Sequence, residues 1–174
     1  MKTIDADGRV LCKLQAQAFE ASLGLSCASA VFVRRFMNSD VARRMDDKGF
    51  LSESNSPEGI VAEVEVQYGR SGYGSVKFSA EELHWMGYLY RYWACAFGMS
   101  SCAIYKIVGA NELRSLFFAY HSLDPEQAIL RIAESKGIKL DEDPIEKGVA
   151  ALRRIHEKRR YEYHFVGGEG GKSL

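Results

Sequence analysis

Three prolines and four cysteines are all that this 174-residue chain holds of either type, and its formal net charge is +0. Each shortage excludes something. A neutral chain has no whole-molecule basic field, the usual footprint of a nucleic-acid binder, so any contact with nucleic acid would have to come from a local patch. The longest stretch without a charge lies between Arg91 and Lys106. That is short of the roughly 20 residues needed to cross a bilayer. The opening MKTIDADGRV is too polar for a signal peptide. These features predict a cytoplasmic protein with no membrane association.

Cys12, Cys27, Cys95 and Cys102 are scattered, without the Cys-x-x-Cys spacing of metal and redox motifs. Each stands among apolar or small residues, so the expectation is four buried, reduced thiols acting as small hydrophobes. Catalytic signatures are missing too. His84, His121, His156 and His164 form no His-Glu-x-x-His pair, and GMSSC is not a nucleophile elbow. The segment GGEGGKS has Val166 where a phosphate-binding loop requires glycine. Glu81 and Glu82 read as first-turn charges. The expectation is a protein that is not an enzyme, with no catalytic residue, metal ligand or cofactor to assign.

What is present is apolar bulk. Hydrophobic residues make up 47% of the chain and charged ones 26%, which suits one globular domain with a sizeable core. All three prolines follow a capping residue: Ser56-Pro57, Asp124-Pro125 and Asp143-Pro144. Proline is tolerated at the first helical position, and the preceding Ser or Asp can accept a bond from an orphan N–H. Gln127, Glu146 and Glu82 stand at capping-box spacing from Asp124, Asp143 and Ser79.

Between these marks the apolar residues recur at helical period. After Ser79 one stripe holds Leu83, Met86, Gly87, Tyr90, Ala94 and Phe97, and the opposite side holds Trp85, Leu89 and Trp93. A helix apolar on most sides belongs at the centre of a core. From Arg9 to Leu23 the stripe is Val10, Leu14 and Ala18, continued by Leu25. Further helices are expected at 30–37 and 41–45, around Leu113 to Tyr120, after Pro125, and through Val149, Leu152 and Ile155. The segment VAEVEVQYGRSGYGSVKF reads two ways: a helix through Ile60, Val61, Val64 and Tyr68, or a short hairpin near residues 64–78. The Ser56-Pro57 start favours the helix, with Gly69 to Ser75 as a mobile loop. The fold class predicted is all-α, a single-domain helical bundle of about seven to nine helices over residues 1–160.

Residues 161–174 change character. After the basic RRIHEKRR, YEYHFV alternates like a strand and GGEGGKSL has nothing to pack. Tyr161, Tyr163 and Phe165 would lie on one face of such a strand. They are candidate partner-binding residues if it adds to the sheet edge of another protein. The alternative is a flexible tail.

One stretch, YLYRYWACAFGMSSCAIYKIVG, has the spacing of a helix-turn-helix, with Ala94, Gly98, Ile104 and Ile107 at its packing positions. Ser101, Tyr105 and Lys106, with Cys102 among them and Arg114 nearby, would then face DNA. That is a thin set, because a reading helix usually offers several Arg, Lys, Asn or Gln groups. The same spacing describes two core helices meeting at a glycine. The basic runs FVRRFMNSDVARRMDD and RRIHEKRR read as solvated faces or as a surface for an acidic partner.

The strings FVRRFMNSDVARRMD, ELHWMGYLYRYW, IYKIV and AYHSLDPEQAILRI resemble a family of small, uncharacterised, all-helical bacterial proteins encoded beside ADP-ribosyltransferase-like toxins. The resemblance runs from Leu11 to Ile132. It implies an antitoxin or accessory role, with an ADP-ribosyltransferase-like toxin as the partner, and it transfers no functional residue. The expected function is therefore a non-catalytic binding protein that neutralises a partner by direct contact. The alternative is a helix-turn-helix DNA-binding regulator using residues 88–108.

Overall fold

A computed structural model describes residues 3–47, 50–52 and 55–140. Among them the chain forms nine α-helices: α1 (Ala6–Ala21), α2 (Ser29–Met37), α3 (Asp40–Asp46), α4 (Pro57–Tyr68), α5 (Ala80–Phe97), α6 (Ser101–Ile107), α7 (Ala110–Ser115), α8 (Phe117–Tyr120) and α9 (Pro125–Ser135). No strand occurs among the described residues. The chain divides between Ile138 and Lys139, and all nine helices lie in the unit before that division. The helix expected around Val149, the Asp143-Pro144 start and the tail from Tyr161 lie outside the described residues.

The long helix α5 is central, and it starts where its capping chemistry dictates. Ser79 Oγ accepts from Glu82 N (3.1 Å), and Glu82 Oε2 accepts from Ser79 N (2.8 Å). Two orphan donors are thereby satisfied reciprocally. The helix ends at Gly98, whose φ of 63° is left-handed and suited to glycine. Ser56 caps α4 by accepting from Gly59 N at 3.0 Å, so the Ser-Pro start holds. Pro125 also opens a helix, but the Asp124 side chain makes no cap bond, and the box drawn through Gln127 does not form.

Helix α1 packs antiparallel on α5 with its backbone close. An added Cβ at Gly87 would fall 2.8 Å from Ala16 Cα and 2.8 Å from Gln15 O, and one at Gly8 would sit 3.7 Å from Cys95 Cβ. This approach corrects the stripe read for α1. Val10 is 52% exposed and Leu14 half-buried, while Leu11, Cys12, Gln15, Ala16 and Phe19 are buried. The inward face is chosen by small residues that let α5 in and by Gln15, not by the bulkiest aliphatics.

Gln15 is buried because it serves Arg91, the one charge in the second half of α5, whose side chain is 0% exposed. Arg91 Nε donates to Gln15 Oε1 (2.8 Å), Nη1 to Asp46 Oδ1 (2.6 Å) and Nη2 to Ser101 Oγ (3.0 Å). Asp46, the last residue of α3, also accepts from Ser101 N (2.9 Å) and Ser101 Oγ (2.7 Å). A buried cation needs a paired carboxylate and satisfied N–H groups. This cluster supplies both and ties α1, α3, α5 and α6 together.

The hairpin alternative at 64–78 is not what forms. Residues 57–68 are helical, burying Ile60, Val61 and Val64 and leaving Val66 86% exposed. The following strap from Gly69 to Phe78 closes α2, whose N-cap Ala28 has no side chain to do so. Ala28 N donates to Tyr73 O and Ser29 N to Val76 O, both at 3.0 Å, and Phe78 N donates to Ser29 Oγ at 2.9 Å. Lys77 Nζ donates to the Cys27 carbonyl at 2.7 Å. The polar groups a hairpin would pair across a ladder are used here on a helix start.

Two outcomes follow. Gly87→Ala gains the intrinsic helix preference of alanine, about 1 kcal/mol, yet forces two backbones apart. Net destabilisation of about 1–3 kcal/mol is expected in a urea melt. Gly8→Ala meets mainly the Ile4 side chain, and should lose less. Arg91→Met leaves Asp46 without its cation and should destabilise by about 3–5 kcal/mol. Arg91→Lys should not restore it, because one ammonium cannot reach three partners in a fixed fork. A wild-type melt for either Arg91 variant would overturn the assignment.

Candidate functional site

The outward face of the first half of α5 is not covered by the other described residues. A groove of about 490 Å³ opens there. Its α5 wall is Glu81, His84, Trp85 and Tyr88 over the buried Leu89, and Glu20 reaches in from the end of α1. Phe117 and His121 face them, with Leu123 and Pro125 at the end. The wall residues stand at i, i+3, i+4 and i+7 on α5, so one helix face presents them all.

Aromatic contacts shape the groove. Trp85 meets the edge of Phe117 at 5.6 Å between centroids and 77° between planes. His121 stacks on Phe117 at 4.7 Å and 22°. Phe118, beside it, is 83% exposed and its ring lies 5.5 Å from that of Phe117. Tyr88 stacks on Tyr92 at 6.3 Å and continues the aromatic surface along α5. Burial raises both phenols above their usual pKa, with the neighbouring Cys12 adding to the effect at Tyr88 and Glu126 at Tyr92. Both therefore present neutral O–H groups.

The polar atoms lie at the rim. His84 Nδ1 bonds Glu20 Oε1 at 3.0 Å, and His121 Nδ1 bonds Phe117 O at 2.9 Å. A carbonyl only accepts, so His121 carries a proton on Nδ1. A carboxylate likewise fixes the proton of His84 on Nδ1. No Ser, Thr, Cys or Lys is among the described residues lining the groove. The arrangement offers flat apolar faces, two imidazole rings and the carboxylates of Glu20 and Glu81. It can hold an apolar or aromatic group with a donor or cation beside it. Among the described residues no cluster of three or more His, Cys, Asp or Glu is placed to hold a metal ion, and no helix is long and apolar enough to cross a membrane.

The residues singled out for DNA do not form one face. Ser101 is buried inside the Arg91 cluster, which corrects its expected outward position. Tyr105 is half-buried near the Tyr90 ring, at 6.4 Å. Arg114 donates to Glu82 Oε1 at 3.0 Å and lies 4.6 Å over the Phe78 ring. Lys106 is exposed. Tyr161, Tyr163 and Phe165 lie outside the described residues. Cys12 and Cys27 are buried, whereas Cys95 and Cys102 are half-exposed, against the expectation of four buried thiols.

The groove residues went unread in the sequence because they come from separate segments. The Arg91 cluster had a signal, since a lone arginine inside a helix apolar on most sides calls for a buried carboxylate. Comparisons with protein-family models, with curated proteins and with solved structures find no match to this chain.

Proposed function

We propose that this chain is a non-catalytic binding protein and that the α5 groove seats part of a partner protein. The observation that carries the reading is the open aromatic groove, with carboxylates at its rim. Beside it lies the fully presented ring of Phe118. Large rings in a shallow pocket are the anchors on which protein interfaces concentrate their energy. Glu20 and Glu81 suit a partner segment carrying an apolar anchor next to a basic side chain. The sequence resemblance supplies the class of partner, an ADP-ribosyltransferase-like toxin, and the mechanism is steric: the bound partner cannot open its own cleft to substrate. The helix-turn-helix reading has less support, because Ser101 is enclosed and Arg114 is committed to Glu82.

The test is a titration against the product of the adjacent gene, which the proposal expects to be an ADP-ribosyltransferase-like protein. Phe118→Asp and Glu81→Lys alter exposed groups and should leave the melting temperature near wild type. Each should weaken binding at least tenfold, about 1.4 kcal/mol. Truncation after Arg160 measures separately what Tyr161, Tyr163 and Phe165 contribute. Unchanged affinity in both groove variants would remove the groove from the interface, and absence of any binding by wild type would remove the partner.

A further inference from the structure

The groove on α5 carries a charge preference as well as an aromatic lining. Glu20 and Glu81 line it, and Asp124 and Glu126 flank Pro125 at its end. No Lys or Arg is among its described lining residues, so the two histidines are the only groups there that can carry positive charge. His84 is held to Glu20 at 3.0 Å. Glu81 is exposed, and its carboxylate has no hydrogen-bond or ion-pair partner among the described residues. It stands one turn before Trp85 on the same face of α5.

The open ring area lies next to that carboxylate. His121 stacks on Phe117 at 4.7 Å, and Phe117 is itself buried. Trp85 and Tyr88 are half-buried and keep ring area in the groove. The face of an aromatic ring attracts a cation, and that of Trp most strongly. A carboxylate beside such a face suits a guanidinium better than an ammonium. The guanidinium is planar, weakly hydrated and able to stack while its N–H fork pairs with the carboxylate, whereas the ammonium is a compact, strongly hydrated point charge. The chain seats its own arginines in this way. Arg114 lies 4.6 Å over the Phe78 ring and donates to Glu82, the residue next to Glu81. Arg44 lies 5.9 Å over the Phe50 ring and donates to Glu63 at 2.7 Å.

Resting on the reading of this groove as a docking site, we propose that its occupant is an arginine side chain of the partner protein, with the guanidinium flat on Trp85 and paired with Glu81. Glu20 and the acidic start of α9 draw the cation in and disfavour an acidic segment. An apolar neighbour of the arginine covers Leu123 and Pro125 at the end of the groove. A lysine in its place loses the stacking. Citrulline, planar but uncharged, loses the attraction to both ring and carboxylate.

The experiment titrates the full chain with N-acetyl-leucyl-arginine amide and follows the indole N–H resonances of its two tryptophans, Trp85 in the groove and Trp93 fully buried. The Trp85 signal should move saturably while that of Trp93 stays. The citrulline peptide should bind at least about tenfold more weakly, and the lysine peptide more weakly than the arginine one. Glu81→Gln should weaken the arginine peptide by about twofold to fivefold and leave the citrulline peptide unaffected. Equal affinity for the arginine and citrulline peptides in wild type, or no movement at Trp85 with the arginine peptide, would overturn the proposal. Loss of partner affinity in Phe118→Asp and Glu81→Lys would in that case leave the docking reading standing. Failure of the docking reading shows instead as unchanged partner affinity in those two variants, with the arginine preference at Trp85 intact.

Discussion

A single guanidinium organises this fold. Arg91 sits with no solvent exposure in the middle of the central helix, where its charge is intolerable without compensation. Its three partners come from three other helices, and Asp46 and Ser101 bond to each other as well. The geometry is specific in a way apolar packing is not. Leucines can slide past one another, but a planar fork with three acceptors fixes the register of α1, α3 and α6 against α5. The cluster also completes the start of α6, whose Ser101 N–H ends on the Asp46 carboxylate. Helix α6 is short, and without that bond its first turn would carry an unsatisfied donor beside a buried arginine.

The same demand explains the composition of α1. To place Gln15 within reach of Arg91, the backbones of α1 and α5 must approach, so Gly8, Cys12 and Ala16 line one helix and Gly87 the other. Close approach consumes the small residues and turns Val10 to solvent. It also sets Gly8 of α1 against Cys95 of α5.

The sequence showed the ends of elements better than their faces. The Ser79–Glu82 box and the Ser56-Pro57 start are local chemistry, complete within four residues, and both form as read. The all-α class and the helix at 57–68 followed from the same signals. The face of α1 was misread because periodicity counts valine as core and glutamine as surface. That rule fails where a buried charge recruits the glutamine. Asp124 opens α9 without its expected cap bond, since Pro125 alone suffices to fix the first turn. The groove was invisible for another reason. Glu20, His84 and Phe117 stand far apart in the chain and meet only through tertiary packing.

One sequence reading contained the groove without naming it. Helix α5 looked apolar on nearly every side, and that pattern implies complete burial. Its inner residues Leu83, Met86, Leu89, Tyr90 and Trp93 are indeed enclosed. Trp85, Tyr88 and Tyr92 are only half-buried, and they form a stacked surface opposite Phe117 and His121. These rings are therefore the part of α5 that the described fold leaves partly in water. Half-buried rings flanked by carboxylates keep apolar area in water. Covering that area with a partner would recover the hydrophobic gain that the fold itself leaves unused, at about 25 cal/mol for each Å² removed from water. The half-buried aromatic face of α5 is therefore the surface that the proposed association would use. On the proposed reading, the binding face lies on the half of α5 before Arg91, away from the corner at Gly98.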